Sequence, residues 1–328
     1  MSPESPSSRL TALVTGGAGF IGSNLVDALV VAGADVVILD DLSTGRASNI
    51  TGALAEGAAF ERCDVRDAAG VADVFCRYRP EVVFHLAAQI DVRKSVDDPA
   101  ADADVNVRGT INVLDAARLN GTRRVVLSST GGALYGDADQ VPSPESTPIA
   151  PISPYGQSKH CAEGYVGLYA RLHGLSTVTL RYANVYGPRQ DPLGEGGVVA
   201  IFCGKLAAGE TPTIYGDGRQ TRDFVHVADV VRANLLAAES EATGAYNIGR
   251  GEETSILDLV EHCRAIRPGS GFDPDFAPAR AGEVARSCLD PTQAFLALGW
   301  AAEIDVRDGL QSTLASVVPP VTKLLQSR

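Results

Sequence analysis

Residues 9–182 of the sequence are expected to form a parallel, doubly wound α/β sheet, and three observations predict it. Six apolar runs rich in β-branched residues follow one another from Leu10 onward: LTALVTG, ADVVILDD, AAFERCDV, EVVFHLAA, RRVVLSST and LSTVTLRYA. Helical patterns separate these runs, and such alternation is typical of parallel strands joined by right-handed crossovers. The runs are also almost continuously apolar, as strands covered by helices on both faces must be.

The regular alternation ends after Asn184, where a loop rich in glycine and proline, YGPRQDPLGEGG, begins. We expect a smaller α+β lobe from residues 183–222 and 251–328, with residues 223–250 returning to the main sheet. The opening segment, MSPESPSSR, has no cationic stretch followed by an apolar run, which a signal peptide would need. Residues 1–8 are therefore expected to form a short disordered tail.

Charge and cysteine content argue against several classes of partner. The formal net charge of −12 repels nucleic-acid backbones and anionic lipid over most of the surface. No stretch approaches the roughly 18 uninterrupted apolar residues of a membrane helix. The six cysteines form no CxxC pair and no His/Cys spacing suited to zinc. We therefore expect reduced thiols, no bound metal and a cytoplasmic protein that binds neither nucleic acid nor membrane.

A glycine-rich turn lies between the first predicted strand and the first predicted helix. In TALVTGGAGFIGSNLVDALV, the glycines are Gly16, Gly19 and Gly22. Glycine lets the backbone turn tightly, approach a pyrophosphate and bring the helix close to the sheet. The helix N-terminus then presents unpaired N–H groups and a partial positive charge to phosphate. The turn therefore predicts a Rossmann-like dinucleotide site.

Acidic and amide side chains near the strand ends refine this prediction. Asp40 ends the second strand, where its carboxylate would accept hydrogen bonds from the adenosine ribose hydroxyls and repel a 2′-phosphate. That arrangement favours NAD over NADP, although Asp40 could instead cap a helix. Asp64 could accept a bond from the adenine amine, and Asn106 could support the strand ends; both could equally be loop or capping residues.

Tyr155 and Lys159 form the predicted catalytic pair. Their i, i+4 spacing, in a stretch opened by Ser153 and Pro154, places both side chains on one helical face. An isolated phenol is a poor base at neutral pH, and a nearby ammonium stabilises the phenolate. The strand RRVVLSST ends in Thr130, whose hydroxyl would lie near the cofactor at the carboxyl edge of the sheet. A YxxxK pair alone is common by chance on amphipathic helices. The prediction therefore depends on finding the pair together with the glycine-rich turn and the strand that ends in SST.

These motifs resemble the extended short-chain dehydrogenase/reductase family over roughly residues 9 to 315. The resemblance rests on GGAGFIG, LDDLSTG, HLAAQIDV, SSTGGALYG, SPYGQSK, YGDGRQTRDFVHVADVV, YNIGRG and the closing LGW. The run RYANVYGPRQDPLGEGGVVAIF and the RDFVHV segment point more narrowly to enzymes of nucleotide sugars. The resemblance implies NAD-dependent epimerisation of a UDP-hexose at C4, through a transient 4-keto sugar.

The resemblance also implies roles for individual residues. Thr130 matches the catalytic hydroxyl, Tyr155 the base and Lys159 its partner. The positions that match NAD-binding residues are Gly16, Gly19, Phe20, Ile21, Gly22, Asp40, Asp41, Ser43, Thr44, Gly45, Asp64, Val65, Leu86, Ala87, Ala88, Asn106, Ser128, Tyr155, Lys159 and Tyr182. The positions that match residues binding the UDP-sugar, in the smaller lobe, are Asn184, Val198, Val199, Tyr215, Arg222, Arg280, Glu283 and Ser287, with Thr130 reaching the sugar.

The sequence departs from the family pattern at four places. Glu283 stands where many relatives have aspartate, and Ile90 stands where some have lysine near the nicotinamide. The SSTGGALYG loop is one residue longer than the common form, so Ser129 could share the role given to Thr130. Ser287 replaces a bulky tyrosine of some relatives, which would leave room for an N-acetyl group on the sugar.

Other functions remain open at this point. A nucleotide-sugar 4,6-dehydratase or a decarboxylase begins with the same oxidation, but its relatives carry an acidic residue directly after the catalytic hydroxyl, where this chain has Gly131 and Gly132. UDP-glucuronate is a further possible substrate for the epimerisation, and a catalytically silent NAD-binding sensor is a third reading. Family members commonly pair through two long helices, here roughly residues 99–119 and 154–173, so the resemblance implies a homodimer. Tyr165, Leu168 and Leu172 could form its interface or could face the sheet.

Overall fold

The computed structural model describes residues 9–192, 197–279 and 284–317. Its strands are β1 Thr11–Thr15, β2 Asp35–Asp40, β3 Ala59–Arg62, β4 Val82–His85, β5 Arg124–Thr130, β6 Thr177–Tyr182, β7 Asn184–Tyr186, β8 Thr213–Tyr215, β9 Thr221–Arg222, β10 Phe224–His226, β11 Gly244–Ile248, β12 Thr254–Ser255, β13 Asp275–Ala277 and β14 Arg286–Ser287.

The α-helices are α1 Phe20–Val31, α2 Thr51–Ala55, α3 Ala68–Tyr78, α4 Val92–Asp97, α5 Pro99–Ala103, α6 Gly109–Asn120, α7 Pro154–His173, α8 Val198–Ala208, α9 Val227–Glu239, α10 Ile256–Ile266, α11 Thr292–Leu298 and α12 Val306–Val317. A 3₁₀ turn covers Ala47–Asn49, and a π-helical turn covers Asp104–Arg108. No helix in the described part of the chain is long and apolar enough to cross a membrane.

A seven-stranded sheet forms the centre of the fold, in the order β11-β6-β5-β4-β1-β2-β3. The pairs β3–β2, β2–β1, β1–β4 and β4–β5 run parallel. Strand order reverses beside β1, which is the place where doubly wound sheets bind ligands at the carboxyl ends of their strands. The predicted Rossmann-like, doubly wound fold is confirmed.

The predicted return of residues 223–250 to the sheet is made by β11. The earlier part of that segment behaves differently, because β10 pairs with β7 in a separate two-stranded sheet. All three residues of this strand, Phe224 to His226, are buried. Phe224 packs in a hydrophobic core that is separate from the core of the seven-stranded sheet.

Contacts divide the chain into two compact units. The first contains residues 1–129, 153–180 and 234–245, and the second contains residues 130–152, 181–233 and 246–328. The first has a core built from strands β1, β2, β4 and β5 together with α3, α6 and α7, whereas the second has a core around α8, α10, α12 and β10.

Local sequence explains the helix that carries the predicted catalytic pair. Ser153 caps α7 by accepting a hydrogen bond from Gly156 N, and Pro154 occupies the first turn, where its missing N–H costs nothing. Gly174 ends the helix in a left-handed conformation at φ 66°. The second predicted long helix, 99–119, is helical throughout, and a π-helical turn that carries Asn106 lies between α5 and α6. Such turns often occur at functional positions in helices.

Candidate active site

The glycine turn has the close backbone approaches that its sequence predicts. Gly16 has φ 67°, and a Cβ added there would lie 2.7 Å from Ala87 N. A Cβ on Gly22 would lie 2.1 Å from Gly16 O, so the first turn of α1 is pressed against the loop. At the start of α1, Ser23 N donates a hydrogen bond to Gly19 O. The amides of Phe20, Ile21 and Gly22 come before Ser23 in the first turn of the helix. A helix leaves these first amides without intrahelical partners, which fits a pyrophosphate.

Asp40 lies where a dinucleotide site needs an acidic side chain. It is buried at the end of β2, and its carboxylate accepts bonds from Ala18 N (2.9 Å) and Leu42 N (2.8 Å). Burial raises the pKa of Asp40, and these two backbone amides oppose that shift. Because Ala18 lies in the glycine turn before α1 begins, Asp40 ties the turn to the strand end and caps no helix.

The loop after β2 contains the next four predicted cofactor residues. Asp41 accepts a bond from Ser43 N at 2.8 Å, Ser43 and Thr44 are exposed, and a Cβ on Gly45 would lie 2.7 Å from Asp40 Oδ1. The loop therefore closes over the Asp40 carboxylate and leaves its hydroxyl-bearing residues open to a ligand.

Asp64 is already engaged by an arginine. Its carboxylate pairs with Arg66, with Arg66 Nη2 2.6 Å from Oδ2, and this pairing lowers the pKa of Asp64. Val65 is buried, and its carbonyl accepts a bond from Asn112 Nδ2 at 2.9 Å. The predicted contact of Asp64 with adenine stays a prediction, and it would have to share oxygens with Arg66.

His85, which sequence analysis did not select, organises the segment Leu86 to Ala88. Thr15 Oγ1 accepts bonds from Leu86 N and Ala87 N and lies 2.7 Å from His85 Nδ1. On the other side, His85 Nε2 lies 3.0 Å from Thr110 Oγ1, whose own proton goes to Asn106 O. Burial lowers the pKa of His85 to about 3, with the Lys159 charge adding to the shift. The ring is therefore neutral and carries its proton on Nε2.

Asn106 connects the sheet edge to helix α7. Its Oδ1 accepts a bond from Gln89 N, and its Nδ2 donates to Gln89 O and to Ser158 Oγ at 3.0 Å each. The Asn106 side-chain amide therefore hydrogen-bonds both the backbone after β4 and the helix that carries Lys159.

Lys159 is buried with its ammonium inside the first unit. Only 5% of the residue is exposed, and burial lowers the pKa of Lys159 to about 8, with Glu163 and then Asp102 opposing the shift. Tyr155, one turn earlier on α7, is partly exposed, and its backbone N–H donates to Ser95 Oγ at 3.1 Å. A cation that remains mostly protonated at neutral pH therefore lies one helical turn from the phenol.

Strand β5 ends in three hydroxyl residues. Ser128 and Ser129 are buried and Thr130 is partly exposed. Ser129 Oγ is buried and, within the described residues, makes no hydrogen bond. The next residue, Gly131, donates its N–H to the carbonyl of Tyr182, which is also a predicted cofactor residue. Two hydroxyls, on Ser129 and Thr130, thus remain candidates for the catalytic one.

In the second unit, Asp223 brings together three predicted substrate positions. Its carbonyl accepts from Asn184 N, its N–H donates to Ser287 O, and its chain neighbour is Arg222. Its buried carboxylate accepts bonds from Arg250 N, Gly251 N and Leu289 N, and burial raises the pKa of Asp223 to about 6. Sequence analysis missed this residue, although it stands inside RDFVHV.

Gly132 faces the same group of residues. A Cβ added to Gly132 would lie 3.8 Å from Asn184 Oδ1 and 3.9 Å from Ser287 Oγ. Both side-chain oxygens therefore border one small space in the second unit, as a sugar-binding role for these positions requires.

The remaining predicted substrate residues have different surroundings. Val198 begins α8 and is partly exposed, whereas Val199 is 1% exposed and belongs to the core of the second unit. Tyr215 is 38% exposed. Arg280 and Glu283 lie outside the described residues. No cluster of three or more potential metal ligands occurs in the described ranges.

Comparison with known proteins decides the family. Residues 12–249 match the model of the NAD dependent epimerase/dehydratase family, which is more than half of the chain. The chain belongs to this family. The UDP-glucose 4-epimerase of Mycolicibacterium smegmatis is 47% identical over 304 residues, covering 92% of this chain and 96% of that protein.

Two solved structures of the family share the fold closely. The UDP-glucose 4-epimerase of Thermotoga maritima, solved with UDP-glucose, superposes with a TM-score of 0.91 at 43% identity, covering 96% of this chain and 100% of that one. The UDP-glucose 4-epimerase of Thermus thermophilus, solved with NAD, gives a TM-score of 0.86 at 41% identity, with 94% and 99% covered. The predicted resemblance to the extended short-chain dehydrogenases is confirmed.

Proposed function

We propose that this chain is an NAD-dependent isomerase that interconverts UDP-hexoses epimeric at C4, with UDP-glucose and UDP-galactose as the principal pair. The observation that carries the proposal is the combination of Tyr155 with a buried, charged Lys159 in a chain that aligns almost end to end with UDP-glucose 4-epimerases. This activity gives the protein a role in galactose metabolism.

The predicted cofactor residues hold NAD. The amides of Phe20 to Gly22 face the pyrophosphate, Asp40 accepts from the adenosine ribose, and the loop of Asp41, Ser43, Thr44 and Gly45 covers that ribose. Leu86 to Ala88, Ser128 and Tyr182 line the remainder of the site. When bound, NAD would supply the acceptor and donor of the hydride at C4 of the sugar. Negative charge at Asp40 supports NAD rather than NADP.

The chain's own residues move the proton. Tyr155 accepts the proton of the 4-hydroxyl as the C4–H bond breaks, and it returns that proton when the bond forms again. Lys159 stabilises the phenolate through its ammonium charge. Thr130, with Ser129 as the neighbouring alternative, hydrogen-bonds the reacting oxygen and helps to pass the proton.

The second unit is proposed to hold the UDP group firmly and the hexose loosely. Arg222 and Arg280 bind the diphosphate, because guanidinium groups suit phosphate geometry and supply the positive field that a chain of net charge −12 otherwise lacks. Tyr215 and Val198 with Val199 border the uracil, and Glu283 binds the uridine ribose. Binding energy placed on the nucleotide leaves the sugar free to turn and present both faces.

The residues after Thr130 favour simple epimerisation over dehydration. Gly131 and Gly132 carry no acid or base, and a Cβ on Gly131 would lie 2.5 Å from Leu289 Cδ1, so the position is filled by a neighbour. A dehydratase needs a proton carrier for C5 or C6 at this position. UDP-glucuronate, which carries a carboxylate at C6, is the alternative substrate in the panel below.

Incubation with a panel of UDP-sugars tests the proposal. UDP-galactose is expected to give UDP-glucose at equilibrium without added NAD and without an accumulating 4-keto product, as read by NMR and chromatography. UDP-N-acetylglucosamine is expected to react as well, because Ser287 is small and shares its space with Gly132. Persistent keto sugar, or the absence of any epimer, would contradict the proposal.

A homodimer is proposed as the assembly, formed through α6 and α7. Tyr165 and Leu172 are 37% and 65% exposed on α7, and Leu119 is 68% exposed at the end of α6. Replacing Leu172 by glutamate is expected to convert the dimer to monomer in sedimentation velocity, because a buried unpaired charge weakens an apolar interface. The matched control is Leu296→Glu, a residue 68% exposed on α11, which should leave the mass unchanged. Monomeric wild-type protein would refute the dimer.

The six cysteines, free in the structure, support the cytoplasm as the compartment.

A further inference from the structure

Asp102 is a buried carboxylate that the chemistry described so far does not use. It is 1% exposed, and its Oδ1 accepts bonds from Gln89 Nε2 (2.9 Å) and Asn106 Nδ2 (3.2 Å). Its Oδ2 is buried and, within the described residues, makes no hydrogen bond. An ionised oxygen without a partner is costly in a protein interior, so a nearby positive charge is needed to hold it there.

The buried cation to which the contacts of Asp102 lead is Lys159. Asn106 Nδ2 contacts both Asp102 and Ser158 Oγ, so the carboxylate is connected to the residue next to Lys159 by two hydrogen bonds. Glu163 and, with the smaller effect, Asp102 are the two carboxylates whose charges raise the pKa of Lys159. Glu163 is partly exposed on the same helix as Lys159, whereas Asp102 is buried on α5.

Other charged groups near this cluster do not replace Asp102. His85 faces Lys159 from β4 and is neutral. Near α4, the partly buried Asp91 pairs with the exposed Lys94, and Arg93 and Asp97 are exposed. On the π-helical turn, Asp104 pairs with the exposed Arg108.

We propose that Asp102 is a positioning residue that acts through Lys159: it is the buried counter-ion that keeps the lysine protonated and so keeps the Tyr155 phenol in its anionic form. The inference rests on the proposed role of Tyr155 as the base. Its direction is specific, because Asp102 would by itself repel a phenolate. An anion that favours a second anion must do so through a cation that interacts with both.

The test is a titration of Tyr155 in the NAD-loaded protein, without sugar nucleotide, so that the result does not depend on turnover. The chain has nine tyrosines, and subtracting the curve of Tyr155→Phe in each background isolates one phenol by its tyrosinate absorbance. Asp102→Asn is expected to move the phenol titration upward by about one pH unit, because neutral Lys159 no longer stabilises the phenolate. An unchanged or downward shift would overturn the proposal, whether or not the protein epimerises any sugar.

Three further variants make the outcome specific. Asp104→Asn removes a carboxylate two residues away that pairs with Arg108 at the surface, and it should leave the titration in place. In a Lys159→Met background, Asp102→Asn should no longer raise the phenol titration, whereas an equal rise there would overturn the proposal. Asp102→Ser, a smaller neutral variant, should give the same upward shift if Asp102→Asn folds poorly, as judged by circular dichroism.

Discussion

Tyr155→Phe is expected to lower kcat for UDP-galactose about a thousandfold, because positioned acid/base groups contribute roughly 10²- to 10⁴-fold to rate. The ring stays in place and only the group that accepts the proton is lost. NAD content, measured by absorbance after denaturation, should stay nearly unchanged, since the pyrophosphate and ribose contacts lie on the glycine turn and Asp40.

Tyr165→Phe is the matched control for this variant. It removes a hydroxyl from the same helix at a residue that is 37% exposed, and its kcat should equal that of the wild type. Residual activity of Tyr155→Phe within tenfold of wild type would mean that another group accepts the proton. Loss of NAD together with activity would mean that Tyr155 acts in binding rather than in chemistry. A silent sensor would show no activity in any variant.

Gly22→Ala is expected to lower the affinity for NAD more than the other substitutions described above. A Cβ at this position would lie 2.1 Å from Gly16 O and 2.9 Å from Gly17 Cα, and neither is a flexible side-chain end. The turn must therefore shift, at a cost of about 1–3 kcal/mol in the free energy of unfolding. NAD affinity should fall at least about tenfold, because 1.4 kcal/mol of strain at the pyrophosphate site corresponds to that factor.

Gly52→Ala provides the comparison. Gly52 lies in helix α2, with no atom within 4 Å of an added Cβ, so alanine should be neutral or stabilise the helix by up to about 1 kcal/mol. Isothermal titration with NAD and thermal unfolding measure both effects. Equal NAD affinity in the two variants would show that the close contact at Gly22 does not shape the cofactor site.

Much of the fold could be predicted because its signals are local. The apolar runs mark strands that are buried on both faces, and the glycine turn, Asp40 and the YxxxK pair each stand at a fixed place relative to a strand or a helix. Helix α7 begins and ends at Pro154 and His173, as its capping residues indicate.

The missed residues depend on contacts that are distant in sequence. In the sequence, His85 is one polar residue in an apolar strand. Its neutral state follows from burial, and the position of its proton follows from bonds to Thr15 and Thr110, 70 and 25 positions away. In the sequence, Asp102 is one acidic residue in an acidic, alanine-rich stretch. Its partners are Asn106, on the π-helical turn, and Gln89, after β4, and both donate hydrogen bonds to its carboxylate. Asp223 likewise acquires its role from Arg250, Gly251 and Leu289. No local pattern marks such residues.

A proton taken from the sugar hydroxyl by Tyr155 while C4 is oxidised and then reduced predicts the fate of the hydrogen on that carbon. UDP-galactose carrying deuterium at C4 should give UDP-glucose that keeps the deuterium at C4, with none lost to solvent water, as measured by mass spectrometry and NMR of the product. Replacement of the deuterium by solvent hydrogen would contradict this chemistry, because it would show that C4 exchanges a proton rather than being oxidised and reduced within one closed site.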